Sequence, residues 1–167
     1  AGTWVEPERL LCAPAGPNSA LDEQGPSWVD VSSTLRGPKH LYFSRTSVLP
    51  GGAPGEIFMS SRQDGARFGP ATPVAELNDA TANDIQPNVR KDGREVVFSS
   101  NRGDGAGSQD IWASTRASID DAWSEPVNLG SNVNSADSET RPSLSWDAKT
   151  LYLGITPPAG PPGDVYV

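Results

Sequence analysis

Hydrophobic and polar residues alternate along this chain in short runs, and the same runs return on a fixed period. Leu41-Tyr42-Phe43-Ser44-Arg45 is followed by Glu56-Ile57-Phe58-Met59-Ser60-Ser61-Arg62. Val96-Val97-Phe98-Ser99-Ser100-Asn101-Arg102 is followed by Asp110-Ile111-Trp112-Ala113-Ser114-Thr115-Arg116, and Leu151-Tyr152-Leu153-Gly154 by Asp164-Val165-Tyr166-Val167. Leu41, Val96 and Leu151 stand 55 residues apart, while Glu56, Asp110 and Asp164 stand 54 apart. The runs are too short for helices, rich in β-branched and aromatic residues, and bounded by Gly, Pro, Asn and Asp, so each reads as a strand. Phe58, Trp112 and Tyr166 occupy one repeated position and Phe43 and Phe98 another. That recurrence predicts sheets buried on both faces.

The second unit shows the order of elements most completely. Asn88-Val89-Arg90 supplies a first strand, Lys91-Asp92-Gly93-Arg94 the Asp-Gly pair of a tight hairpin, and Val96 to Ser99 a second strand. Asp110 to Ser114 is a third, and Trp123-Ser124-Glu125-Pro126-Val127-Asn128-Leu129 leads into a fourth. Four antiparallel strands repeated on this period predict an all-β chain of β-propeller blades. The blades fall at 20–78, 79–134 and 135–167. Trp4, Pro7 and Leu10 keep the spacing of Trp123, Pro126 and Leu129, so residues 1–19 read as a fourth strand plus linker, and the unit ending at Val167 lacks a fourth strand of its own. Closed propellers carry about 4–8 blades. Three blades therefore predict either a segment of a longer propeller or half of a six-bladed ring, completed as a homodimer in which each N-terminal strand closes the other copy's third blade.

Composition narrows the function. With 17 glycines and 16 prolines the chain favours turns and short strands over long helices. A net charge of −8 argues against nucleic acid, whose affinity for proteins rests largely on Lys and Arg neutralising phosphates. Cys12 is the single cysteine, which excludes an intrachain disulfide and a cysteine-based metal cluster. No apolar run approaches the roughly 20 residues of a membrane helix.

Phe98-Ser99-Ser100-Asn101-Arg102, the glycine-rich turn after it, Asp110-Ile111-Trp112, and Trp123 through Val133-Asn134-Ser135 together resemble the WD-like propeller repeats of TolB and of exported bacterial proteins that join such repeats to an OmpA-type domain. The third unit departs from the pattern at Gly154-Ile155, and the first keeps only Ser44-Arg45 of the Ser-Asn-Arg stretch. The resemblance implies a periplasmic or extracellular setting and a propeller that presents surfaces to protein partners. Related propellers also carry carbohydrate-active sites.

Candidate chemistry is sparse. Glu56, Asp110 and Asp164 precede the third strand of each unit and read as turn acids that accept backbone N–H groups and an arginine such as Arg102. Asn101, Asp104 and Asp110 lack the spacing of a twelve-residue Ca²⁺ loop. His40, the single histidine, has no Gly-x-Ser-x-Gly serine to serve. An acid three residues ahead of a proline recurs as Glu23, Asp84 and Glu139. Asp84, Asp137 and Glu139 fall in loops at equivalent ends of two units, and as paired carboxylates they are the alternative reading as a carbohydrate-active site. Trp28 and Trp146 fall outside the repeated aromatic positions, near the first strand and its turn. No catalytic residue, cofactor or metal ligand is assigned. The expected function is a non-catalytic scaffold that binds a protein, or alternatively a carbohydrate, through Trp28, Trp146, Asp84 and Glu139.

Overall fold

The computed structural model describes residues 6–31, 39–47, 52–63, 67–159 and 163–167. Strands β1 (Asp22–Asp30), β2 (Lys39–Thr46), β3 (Glu56–Ser61) and β4 (Thr72–Pro73) form the first sheet, in that order. Strands β5 (Asp84–Val89), β6 (Glu95–Ser100), β7 (Asp110–Thr115) and β8 (Val127–Asn128) form the second. The third holds β9 (Ser138–Leu144), β10 (Leu151–Thr156) and β11 (Asp164–Tyr166). All pairings within the sheets are antiparallel. Among the described residues the one helical element is a 3₁₀ turn at Ala75–Leu77, and no helix is long and apolar enough to cross a membrane. Residues 32–38, which the sequence reads as extra hairpin residues of the first unit beside the second, lie outside the described residues.

The repeated aromatics meet across the strands: Phe43 faces Phe58, Phe98 faces Trp112, and Leu153 faces Tyr166. Strand alternation sends neighbouring residues to opposite faces, so a middle sheet must be apolar on both. One core, of Val29, Tyr42, Ile57, Leu77, Val96, Phe98 and Trp112 among others, joins the first sheet to the second. A smaller one, of Val97, Ile111, Ala113 and Leu153, joins the second to the third. The sheets therefore stack in chain order, with β1, β5 and β9 as neighbouring first strands.

Each first strand carries the same irregularity. Gly25, Gln86 and Arg141 have φ of 62°, 57° and 53°, and each immediately precedes a proline. The ladder slips at these points, between Gln24 and Ser27 in β1 and between Ile85 and Asn88 in β5, as in a β-bulge. A side chain at position 25 would begin 2.8 Å from the Gln86 Cα, so glycine is required where the first bulge meets the second.

Trp4 lies outside the described residues, and Glu6–Leu10 forms no strand. Leu10 sits beside Leu41 and Phe43 of the first sheet, while among the described residues the third sheet keeps three strands. The second sheet lies between this segment and the third sheet of the same chain.

A candidate ligand cleft on the first strands

Side chains stitch the three first strands together. Ser27 Oγ accepts the Val89 N–H at 2.9 Å and Asn88 Oδ1 accepts the Leu144 N–H at 2.9 Å. At the bulges Ser44 Oγ accepts the Gln86 N–H at 3.2 Å, and Gln86 Oε1 accepts the Arg141 N–H at 3.0 Å. The bulges line a hollow of about 410 Å³. Towards the ends of the same strands it adjoins a cleft of about 670 Å³, lined by Trp28 and Asp30 from β1, Arg90 and Lys91 beyond β5, and Trp146 in the turn after β9.

The cleft brings together two residues that lie 118 positions apart in sequence, Trp28 and Trp146. Trp28 is 43% exposed and meets Phe68 edge to face, with ring centroids 5.6 Å apart. Trp146 is 80% exposed, and the Lys91 ammonium stands over its ring. Asp30 is paired with Lys39 at 2.9 Å. Arg90 donates twice to Asp92 and once to Glu95, each at 2.8 Å. The hydrogen bonds from Arg90 hold the Asp92 carboxyl far below the ordinary aspartate range, and those to Asp92 raise Arg90 in turn. The Arg90 charge is thus largely spent inside its own hairpin, leaving a cleft whose exposed features are indole faces, Lys91, and the hydroxyl and amide groups of Ser145 and Asn88.

Asp84 and Glu139, expected as partner contacts, are fully buried and do not face the cleft. Asp84 pairs with Arg102 and accepts the Asp79 N–H at 2.6 Å. Glu139 accepts the Ser135 hydroxyl at 2.6 Å and its N–H at 3.2 Å. Glu23, the third acid of the set, accepts from Ser19 Oγ and from Arg45 Nε. A buried carboxylate is tolerable only when its oxygens are satisfied, and here that need fastens each first strand to the loop before it. Arg102 therefore serves Asp84 and not Asp110, whose oxygens take the N–H groups of Ala106 and Gly107 and the Asn128 amide. Glu56 and Asp164 are exposed, so the expected turn staple holds for Asp110 alone of those three.

Two asparagines that the sequence reading passed over carry much of the sheet-to-loop bonding. Asn78 accepts the Ile57 N–H at 2.7 Å and donates to its carbonyl at 3.0 Å; Asn134 does the same to Ile111 at 2.7 and 2.9 Å. The signal for them was present in the chain: each is followed at once by Asp79 or Ser135 and then by the acid Asp84 or Glu139. His40 bonds Ser61 Oγ at 3.0 Å through Nδ1, and burial lowers its pKa. Among the described residues no group of three or more His, Cys, Asp or Glu is placed to hold a metal ion.

No protein-family model and no curated protein matches the chain. Among solved structures it is similar to the Hadza microbial sialidase Hz136, at 12% identity and a TM-score of 0.53, over 87% of this chain and 31% of that one. The chain thus spans less than a third of the protein it matches, and the likeness is one of fold: a β-propeller-like, all-β architecture.

Proposed function

We propose that the chain is a three-bladed segment of a β-propeller that acts as a non-catalytic binding module, receiving a protein partner in the cleft between Trp28 and Trp146. The observation that carries this reading is the convergence of two exposed indole rings, from the first and third sheets, on one cleft. Large aromatic side chains supply most of the energy in protein recognition when a partner covers them. The net charge of −8 favours a basic or neutral partner. The likeness of the repeats to TolB-type propellers of exported bacterial proteins supports a bacterial envelope setting.

A second reading, a carbohydrate-binding or carbohydrate-active propeller, is favoured by the fold likeness to a sialidase. Hydrolysis with two carboxylates needs an acid and a base or nucleophile facing the sugar. In this chain Asp84 and Glu139 are enclosed, and the Asp30 carboxylate is paired with Lys39. These engagements support binding over turnover.

A phage-displayed peptide library and a glycan array, each probed with the wild type and a Trp28→Ala/Trp146→Ala double variant, test the proposal. Peptides held by the wild type and lost by the variant are the expected result. Retention of glycans alone moves the assignment to sugar binding, and release of fluorophore from 4-methylumbelliferyl glycosides overturns the non-catalytic reading.

A further inference from the structure

The three bulges adopt one backbone conformation with three different side chains. Gly25, Gln86 and Arg141 all hold a left-handed φ ahead of a proline. Glycine takes that conformation freely, whereas any other residue is strained by it. At Gln86 the side chain serves the fold, since its Oε1 accepts the Arg141 N–H at 3.0 Å and the Ser99 hydroxyl at 3.4 Å. At Arg141 it does not: the side chain is exposed and, among the described residues, makes no hydrogen bond or ion pair. Strain that brings no contact within the fold points to a function for the side chain.

The hollow of about 410 Å³ at these bulges is supplied with donors. Backbone N–H groups settle how its two amides are turned, because Gln86 Oε1 must face the Arg141 N–H and Asn88 Oδ1 the Leu144 N–H at 2.9 Å. Gln86 Nε2 and Asn88 Nδ2 are left over, and among the described residues neither has a partner. Gln24, which also lines the hollow, gives its amide to Thr46 Oγ1 at 3.1 Å. Pro26, Pro87 and Pro142 carry no N–H, so donation falls to the side chains. Of the 21 acids in the chain none lines the hollow among the described residues, which leaves the Arg141 charge unmatched there. An acid in place of either amide would accept the same backbone N–H and supply a countercharge. The amides supply donors instead.

We propose that this hollow is a carboxylate subsite, in which Arg141, Gln86 Nε2 and Asn88 Nδ2 bind one carboxylate of the peptide that occupies the adjoining cleft. One guanidinium matches one carboxylate in charge and can take it through two parallel N–H bonds. A phosphate dianion or a polyanion brings more charge than one arginine neutralises, against a net charge of −8. Pro26 and Asn88 line both the hollow and the cleft of Trp28 and Trp146, so one ligand can lie on the indoles and reach the donors. A neutral or basic peptide with a single acid fits both the field of the whole chain and the local donors. That the carboxylate is a peptide's rests on the binding-module reading; the donor chemistry of the hollow does not.

Nitrogen-15 NMR of the side-chain amides tests it, with sodium acetate as the probe and sodium chloride at equal ionic strength as the control. Saturable shifts of the Gln86 and Asn88 amide signals in acetate alone are expected. Asn88→Asp keeps the acceptor for the Leu144 N–H but replaces the donor by an oxygen, and Arg141→Gly removes the guanidinium together with the strain. Each is expected to weaken acetate binding, read at Gln86, by roughly tenfold or more. Arg141→Gly is also expected to melt no lower than the wild type, which an arginine serving the fold would not allow. Equal shifts in chloride, a stronger response to inorganic phosphate, acetate binding indifferent to both variants, or a lowered melting temperature for Arg141→Gly overturns the inference. In peptides retained through Trp28 and Trp146, replacing acidic side chains by their amides and amidating the C-terminus identify the bound carboxylate, and one of these changes is expected to weaken binding by roughly tenfold or more. Silence of both overturns the peptide assignment, as does glucuronate that binds more tightly than acetate. Acetate binding in the hollow with no peptide held overturns the binding-module reading and leaves the carboxylate chemistry in place.

Discussion

The second and third sheets carry the same repeated sequence pattern, yet they live in different surroundings. The second is packed on both faces, and every residue of β6 from Val96 to Ser100 and of β7 from Asp110 to Ser114 is buried. The third is packed on one face; β11 is exposed along its whole length, and Tyr152 on β10 is open. Equivalent strand positions thus carry different physical demands. Trp112 and Tyr166 occupy the same register, opposite Phe98 and Leu153, but only Trp112 is enclosed. A repeat unit fixes the hydrogen-bond ladder, while neighbours decide which faces become core.

The largest test of this contrast is to empty the shared aromatic position in each sheet. Trp112→Ala is expected to cost about 3–5 kcal/mol in chemical denaturation, as for a large buried aromatic. Tyr166→Ala is expected to cost well under half of that, because the residue is 48% exposed. Equal losses would show that something covers β11 in solution.

The contrast also explains how much of the molecule was readable beforehand. Periodic runs such as Val96–Ser99 and Asp110–Ser114 declared their strands, because alternation and turn residues act locally. The burial of Asp84 and Glu139 was not readable, since it depends on which loop folds over the strand start and supplies the donors Asp79 and Ser135. Nor could the sequence show that Trp28 and Trp146 share a cleft, which follows from β1, β5 and β9 lying side by side.

The asparagine clamps sharpen the comparison at a smaller scale. Asn134→Ala orphans the N–H of the fully buried Ile111 and is expected to cost about 1–3 kcal/mol. Asn18→Ala removes one bond to a half-buried carbonyl and is expected to stay within about 0.5 kcal/mol. Urea midpoints of the two variants, read at the same low concentration, check the difference.

The hairpin turns after β5 and β9 offer a change in the opposite direction. Gly93 donates its N–H to Arg90 with φ of 72°, and Ala148 donates to Ser145 with φ of 54°. A left-handed conformation strains alanine but not glycine. Ala148→Gly is therefore expected to stabilise by about 0.5–1 kcal/mol, visible as a raised melting temperature. Gly93→Ala should destabilise, more so because its Cβ would start 3.0 Å from the Ile119 Cδ1. A fall in melting temperature for Ala148→Gly would mean that the third sheet's turn does not hold the conformation of the second's.

The smallest effect is electrostatic and sits in the same two turns. Asp92 is bonded by the Arg90 guanidinium, by Arg94 Nε and by the Arg94 N–H, whereas Asp147 accepts only neutral donors, the Ser145 hydroxyl and the Lys149 N–H. Both carboxyls titrate below their ordinary value of 3.8, and Asp92 by much more. A carboxyl with a depressed folded pKa contributes stability that is complete above the unfolded pKa and is lost as pH falls through the folded one. The contribution of Asp92 should therefore persist at pH 4 and above and disappear in stronger acid. Its side chain is 40% exposed, so solvent screening holds the contribution to about 0.2–1 kcal/mol. Asp92→Asn is expected to lower stability at pH 7 by that amount and to flatten the loss below pH 4, while Asp147→Asn changes the same curve less. Salt should shrink the Asp92 effect and leave that of Asp147 nearly untouched, because an ion pair is screened and a hydroxyl hydrogen bond is not. Denaturation midpoints from pH 2 to 7, in low and high salt, decide it; equal curves for the two variants would mean that the Arg90 pairing adds nothing to the second sheet's turn.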